Sequence, residues 1–449
     1  MYAPRSEAVG RTASPATARR INDRLALQLL QDEGPLTASR LRELTGLSRP
    51  TVADLVARLR TAGLIAVVGE SGVRRRGPNA RLYGIVADRA HLVALDLREH
   101  GVGIAVADLL GEIRAERTVP LPANARPGQA VRATRRAVDE ALAAAGATAP
   151  HTVAIGAPGL IDPESGRIGG TDWIPGWHRA VVGAFEESGA PVLLENEVNL
   201  AAVAEARDGA ARGRDTFVLL WLGQGTGAAV VLDGRLRRGA SGGTGEIGFL
   251  PVPGTGALPS AHGCNGGFHS LAGSGAVVQL AADHGIDLPD ADAGPDPDAD
   301  EDEGPGLDPG SGLDLDPGPA GAPEAGASAP GSEGPDSYVT AAEALMRVAV
   351  ERPGGAAFLD DLAARVALGV AAVSAVLDPG CVVLGGEVGR AGGPEFARRV
   401  AEQLTRISPL ATEIRAGTVG GRGVLRGAVL TARDAAQNAL FPGPADPPH

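Results

Sequence analysis

The chain has 449 residues, of which 44% are hydrophobic and 21% are charged, and its formal net charge is −13. That length allows two or three domains with sizeable cores. The sequence has no apolar run of about 18 residues for a membrane span, no signal-peptide core and only two cysteines. We therefore expect a cytoplasmic protein without disulfides and without a membrane partner.

The negative charge is concentrated in one segment. Residues 283–336 contain 16 acidic residues and no arginine, so the remainder of the chain carries a formal charge of +3. Within that remainder, residues 1–88 carry +6. A basic N-terminal region on a nearly neutral body favours a polyanionic partner. On charge alone, a solvated basic surface is the alternative.

The N-terminal region has the pattern of a winged helix-turn-helix. Ile21, Leu25 and Leu29 recur at helical spacing. Gly46 suits the turn between the next two helices because glycine adopts positive φ readily, and Ser48 is a good cap for the last helix. Two strands and a basic turn follow as the wing. The expected helices are Ile21–Gln31, Ala38–Leu44 and Arg49–Ala62.

This arrangement predicts which residues contact DNA. The start of the last helix, here called the reader helix, enters a major groove, and residues further along it meet phosphates. The basic turn of the wing suits a minor groove or its phosphates. A protein-binding winged helix with an incidental arginine cluster is the alternative. The predicted DNA-binding residues are Ser48, Arg49, Thr51 and Arg58 in the reader helix, and Arg74, Arg75 and Arg76 in the wing.

From about residue 89 the chain carries a series of motifs in which strands run into glycine-rich or polar turns. They are Thr152–Asp162, Thr171–Trp177, Val192–Asn199, Phe217–Gly227, Leu236–Phe249 and Leu377–Gly389. In this order they resemble the ROK family (repressor, open reading frame, kinase), and the resemblance covers about residues 20–282 and 338–435. It implies an α/β fold in which two actin-like lobes, as in sugar kinases and Hsp70-type ATPases, close over a sugar-binding cleft. Family members with an N-terminal winged helix-turn-helix are transcription regulators.

Two positions depart from what the family needs for phosphoryl transfer. The resemblance places a Gly-Gly-Thr phosphate clamp where this chain has Arg98, Glu99 and His100, whose side chains obstruct a close approach of backbone to phosphate. The catalytic Asp of the family falls on Glu197, whose extra methylene displaces the carboxylate by about 1 Å. We therefore expect no catalytic residues, no cofactor and no kinase activity.

The structural zinc site of the family is also altered. Its His falls on Phe249, and its three Cys positions and the neighbouring sugar-binding Glu fall on Ser260, His262, Gly267 and His269. Tetrahedral zinc needs four N or S ligands, and only His262 remains in register, so we expect no metal. An improvised site made of His262, Cys264 and His269 is the alternative.

The residues that would face a sugar in the cleft are partly retained. Trp173 and Phe249 replace an Asn and a His of the family pattern. Either these changes rebuild the pocket for another ligand, or they fill a cleft that has lost its effector. We favour a rebuilt pocket, because the retained polar side chains would be costly to bury unpaired. The predicted effector-binding residues are Gly159, Trp173, Asn196, Glu197, Glu246, Phe249 and His269.

Composition and pattern set the expected domain boundaries. We expect a DNA-binding domain at 1–88, a first lobe at 89–199, a second lobe at 200–423, a helix at 424–440 that packs back on the first lobe, and a frayed tail at 441–449. Within the second lobe, residues 288–337 are rich in Asp, Pro, Gly and Ala. They have almost nothing apolar to bury, which predicts a disordered insert.

These observations lead to one hypothesis and two alternatives. The hypothesis is a dimeric or tetrameric repressor that binds a double-stranded DNA operator and releases it when a sugar-like small molecule changes lobe closure. The first alternative is a bifunctional ATP-dependent sugar kinase with a DNA-binding arm. The second is a DNA-binding regulator that responds to no ligand.

Overall fold

A computed structural model describes residues 15–71, 80–169, 174–260, 265–288 and 335–441. An N-terminal winged helix-turn-helix is followed by two α/β lobes, each built on a five-stranded sheet. The predicted fold class is therefore confirmed. Within the described ranges, no helix is both long enough and apolar enough to cross a membrane.

The N-terminal domain has the predicted helices and wing strands. Its elements are α1 (Pro15–Asp32), β1 (Leu36–Thr37), α2 (Ala38–Thr45), α3 (Arg49–Thr61), β2 (Ile65–Glu70) and β3 (Arg81–Ile85). The strands form an antiparallel sheet in the order β1-β3-β2. Gly46 ends α2 with a φ of 70°, as the turn requires, and Ser48 caps α3, the reader helix.

The core-facing side of α1 is not formed by the residues whose spacing marked the helix. Ile21 and Leu25 are 45% and 38% exposed, whereas Ala26, Leu27 and Leu30 are buried. Helical spacing identifies one apolar stripe but does not fix which side faces the core when a second apolar face exists. The core of this domain uses the second face.

The first lobe contains three antiparallel strands followed by two parallel ones. Its elements are β4 (His91–Arg98), β5 (Gly101–Asp108), β6 (Ile113–Pro120), α4 (Pro127–Ala144), β7 (Thr152–Ala157), α5 (Gly176–Glu186), β8 (Val192–Asn196) and α6 (Glu197–Asp208). The sheet order is β6-β5-β4-β7-β8. The boundary that we predicted between residues 199 and 200 falls inside α6, so the lobes are better divided after Asp208, where this continuous helix ends.

The second lobe repeats this strand order. Its elements are β9 (Phe217–Leu222), β10 (Thr226–Leu232), β11 (Arg235–Arg237), α7 (His269–Ala272), α8 (Ser274–Asp283), α9 (Pro335–Glu351), α10 (Ala356–Leu377), β12 (Cys381–Gly385), α11 (Gly386–Ile407) and β13 (Glu413–Ala416). The sheet order is β11-β10-β9-β12-β13, with β9, β12 and β13 parallel. Non-helical backbone at Gly393 interrupts α11. Most of the predicted insert lies outside the described residues, but its last three residues belong to α9.

The last helix, α12 (Gly423–Leu440), returns to the first lobe. It packs on β4, β5, β7 and α6. One apolar cluster joins α12 to the first-lobe sheet and continues into the DNA-binding domain. Phe441 is 5% exposed and belongs to that cluster, so it is not part of the frayed tail that we predicted from 441; the rest of that tail lies outside the described residues. The DNA-binding domain and the first lobe therefore share one core.

Candidate functional site

The start of the reader helix is exposed and ordered by its own cap. The Ser48 hydroxyl accepts a hydrogen bond from the Thr51 backbone N–H at 3.3 Å and lies 2.8 Å from the Thr51 hydroxyl. Arg49, the first helical residue, is also exposed. A helix N-terminus presents unpaired N–H groups that attract phosphate oxygens. Ser48, Arg49 and Thr51 therefore lie together at an exposed helix N-terminus.

Arg58 is engaged inside the domain. Its Nη2 lies 2.6 Å from Oδ1 of the buried Asp23 in α1, and it also pairs with Asp54 one helical turn earlier. Because a phosphate contact would have to replace these carboxylates, we reassign Arg58 from the DNA interface to the contact between α1 and α3. The wing residues Arg74, Arg75 and Arg76 lie outside the described residues.

The cleft between the lobes is organised around the N-terminus of α6. Asn196 caps this helix, accepting from the backbone N–H of Val198 at 2.8 Å. Its side-chain amide donates to the carbonyl oxygen of Gly159 at 3.1 Å and to the Glu197 carboxyl at 3.0 Å. Gly159 adopts a φ of 93°, a conformation that few residues other than glycine accept. The structure therefore brings three predicted site residues together.

Glu197 lies in an environment that favours its neutral form. Burial raises the pKa of Glu197 to about 8, and the carboxylates of Asp96, Glu246 and Glu387 add to the rise. A carboxyl with this pKa is mostly protonated at pH 7 and can donate a hydrogen bond. It is then a poor acceptor for a substrate proton.

Three groups that support the cleft were missed in the sequence. Glu195 is buried and accepts from Arg238 Nε at 2.6 Å and from the Asn199 amide at 2.9 Å. Asp96 is 2% exposed in β4, and burial raises the pKa of Glu387 at the start of α11. The available signal for Asp96 was an acidic residue within an otherwise apolar strand.

Three further predicted effector residues, Glu246, Phe249 and His269, lie on the second lobe. Glu246 is exposed and precedes a single helical turn that contains Phe249. The Gly248 position in that turn lies against Thr226 and His269. Burial lowers the pKa of His269, which keeps the ring neutral at pH 7. His269 also lines an open groove of about 330 Å³ on this lobe. Trp173 lies outside the described residues.

The described residues contain no group of three His, Cys, Asp or Glu side chains arranged to hold a metal. His262 and Cys264, which the improvised zinc site would need, fall in a range that the structure does not describe.

Comparison with known proteins places both parts of the chain. A sequence model of the ROK family matches residues 92–291, and a model of the MarR family matches residues 21–76. The chain is 26% identical to the xylose repressor of Caldicellulosiruptor bescii over 243 residues, which is 52% of this chain and 59% of that protein. The chain thus spans about three fifths of the length of this curated relative.

Two solved structures are similar in fold. A ROK family transcriptional regulator, described as a homologue of the Escherichia coli Mlc protein, superposes with a TM-score of 0.67 at 18% identity, covering 95% of this chain and 98% of that one. The ROK hexokinase of Thermus thermophilus gives a TM-score of 0.54 at 26% identity, covering 76% of this chain and 97% of the hexokinase.

The fold and the site define a class of protein in which a winged helix of the MarR type precedes a two-lobed, actin-like body. The two five-stranded sheets, which have equivalent strand orders, form the two lobes of that body. Within it, residues 92–291 form a ROK family domain.

Proposed function

We propose that the protein is a DNA-binding transcription regulator, acting as a repressor, whose two-lobed body senses a sugar or sugar derivative without phosphorylating it. The observation that carries the proposal is the exposed start of the reader helix on a domain whose core continues into the first lobe. The similarity to a xylose repressor supports a sugar as effector. We infer a homodimer or homotetramer, since winged helices commonly read paired half-sites.

The absence of kinase activity is supported by two features of the cleft. A general base must be ionised to take a proton, and the pKa of Glu197 near 8 leaves it mostly protonated at pH 7. The turn at Arg98 and Glu99 hydrogen-bonds across the cleft to Gln224, where the family would close on phosphates. Beside it, the void at Gly385 and Gly386 measures about 20 Å³, enough for roughly one water molecule.

The charge of the cleft favours an uncharged effector. Asp96, Glu246 and Glu387 all act on Glu197, and Arg98 is already paired with Asp96 at 2.8 Å. An anionic group such as a sugar phosphate would be repelled by these carboxylates. A neutral sugar can instead accept a hydrogen bond from protonated Glu197 and donate to the other carboxylates.

DNA binding is tested by incubating the purified protein with fragmented genomic DNA and sequencing the fragments it retains. We expect a short enriched sequence for the wild type. Arg49→Ala should lose discrimination, by about 1–3 kcal/mol if Arg49 contacts a base. No enriched sequence with wild-type protein would contradict the DNA-binding proposal.

The kinase alternative is favoured by the similarity to a ROK hexokinase and is tested separately. ADP release is measured with ATP and a panel of glucose, xylose and N-acetylglucosamine. We expect no sugar-dependent release above that of a Glu197→Ala control. Release clearly above this control would establish the kinase alternative.

A further inference from the structure

The turn between β4 and β5 makes contacts with two parts of the body outside its own sheet. The Arg98 Nη2 donates to the carbonyl oxygen of Gly421 at 3.2 Å, two residues before α12 begins. Glu99 accepts a hydrogen bond from the side-chain amide of Gln224, in the loop between β9 and β10 of the second lobe. One turn of the first lobe is thus tied both to the second lobe and to the segment that returns from it.

The Arg98 guanidinium also interacts electrostatically with a carboxylate of each lobe. Its Nε donates to Asp96 in β4 at 2.8 Å. Burial raises the pKa of Glu387 in α11, and the charge of Arg98 opposes that rise. A cation that faces one carboxylate from each lobe attracts the lobes toward each other, most strongly where water is partly excluded.

The turn itself is firmly held in the first lobe. The His178 Nε2 lies 3.1 Å from the carbonyl oxygen of Arg98, and the carbonyl oxygen of His100 accepts from the Leu121 N–H at 3.0 Å. Opening the cleft would therefore break the contacts to Gln224 and Gly421 before it deformed the turn. The contacts of the turn with Gln224 and Gly421 are therefore the ones that break when the lobes separate.

A continuous set of contacts links this turn and the cleft to the DNA-binding domain. The helix α6, which begins at Glu197, carries the buried Glu205, which accepts from the backbone N–H groups of Thr418 at 2.8 Å and Val419 at 3.0 Å. From there α12 extends for 18 residues, or about 27 Å at ~1.5 Å per residue. At its other end, Gln437 donates to Gln31 of α1 at 2.8 Å.

We propose that the Arg98–Glu99 turn is a lock between the lobes that holds the closed cleft and the start of α12, so that lobe movement is transmitted through α12 to the DNA-binding domain. Its use in regulation rests on the proposed function. The lock itself is a property of the body and can be measured without DNA or effector.

The test measures distances between spin labels by pulsed electron resonance on the full chain. Labels are placed through Asp139→Cys in the first lobe and Arg235→Cys in the second, both exposed positions. The background is Cys264→Ser, with the buried Cys381 left in place. Glu99→Ala and Gln224→Ala should each lengthen or broaden the distance distribution.

The effects of Glu99→Ala and Gln224→Ala on the distance distribution should not be additive. If the two side chains act on each other, the double variant should shift the distribution no further than either single one. The matched control is Glu402→Ala, which removes a carboxylate from an exposed ion pair with Arg398 and should change nothing. Unchanged distributions in both single variants, or fully additive shifts, would overturn the lock.

Transmission is tested by a second label pair, Asp139→Cys in the first lobe with Glu33→Cys next to α1, both exposed positions. We expect this distance to shift in the same variants. A shift confined to the pair between the lobes would refute transmission through α12. Because neither measurement uses DNA, failure of the lock is distinguished from failure of the DNA-binding proposal, which the genomic capture decides.

Discussion

The close packing of α12 on α6 predicts how much a substitution at Gly427 lowers the stability of the protein. A Cβ atom at Gly427 in α12 would lie 1.9 Å from the backbone carbonyl oxygen of Leu200 in α6, far inside the 3.0 Å that real Cβ contacts respect. Since a helix carbonyl cannot rotate away as a side chain can, Gly427→Ala must push the two helices apart.

The net change in the free energy of unfolding is the difference between two effects. Overpacking costs typically ~1–3 kcal/mol, with a backbone clash at the upper end, and alanine regains about 1 kcal/mol of helix propensity. We therefore expect Gly427→Ala to destabilise by about 1–2 kcal/mol, which lowers Tm by roughly 2–8 °C for a unit of this size.

Gly183→Ala is the matched control. Gly183 lies inside α5 of the same lobe, and a Cβ there meets nothing within 4 Å. The free energy of unfolding of this variant should rise by about 0.5–1 kcal/mol, and its Tm should be slightly higher than that of the wild type. The assay is a thermal melt followed by circular dichroism. If Gly427→Ala melts at or above the wild-type temperature, the close packing of α12 on α6 is wrong.

Three further predictions concern the wing, the cleft and the insert. Replacing Arg74, Arg75 and Arg76 with Ala should weaken binding to all DNA sequences. The slope of log K against log salt concentration should fall by about one unit for each phosphate that these arginines no longer neutralise. An unchanged slope in anisotropy titrations would show that the wing does not contact DNA. Burial raises the pKa of Glu197 to about 8, so the stability that its protonated form contributes is complete below about pH 4.5 and is lost as the pH rises through about 8. The Tm of Glu197→Gln should therefore rise relative to that of the wild type as the pH increases between these limits. A difference in Tm that stays constant with pH would contradict the burial of this carboxyl. Deleting residues 289–334, rather than up to 337 since α9 begins at Pro335, should leave a cooperative melt and nearly the same operator affinity at moderate salt; loss of cooperative melting would show that the insert is structural.

Local signals predicted much of the fold. Ser48 and Gly46 fixed the two ends of the turn in the DNA-binding domain because caps and positive φ depend on neighbouring residues. The ordered series of motifs identified the two lobes. The cluster of Gly159, Asn196 and Glu197 was also predictable, since two of these residues are adjacent and the third lies in a named motif.

Contacts between distant segments were not predictable from the sequence. Arg58 pairs with Asp23, 35 positions away, Arg238 with Glu195, 43 away, and Arg98 with the Gly421 carbonyl, 323 away. Arginine patterns indicate charge, but a buried carboxylate on another element decides whether that charge faces DNA or the core. This is why Arg58 was assigned to DNA and why the role of Arg98 appeared only in the fold.

The central claim is tested most directly by effector release from DNA. The protein is bound to a fluorescent duplex carrying the sequence enriched from genomic DNA, and anisotropy is followed as glucose, xylose, N-acetylglucosamine and their phosphate esters are added. We predict that at least one unphosphorylated sugar dissociates the complex and that its phosphate ester acts at least tenfold more weakly, a difference of about 1.4 kcal/mol. Release by no sugar, or preferential release by a phosphate ester, would contradict an uncharged sugar as the signal.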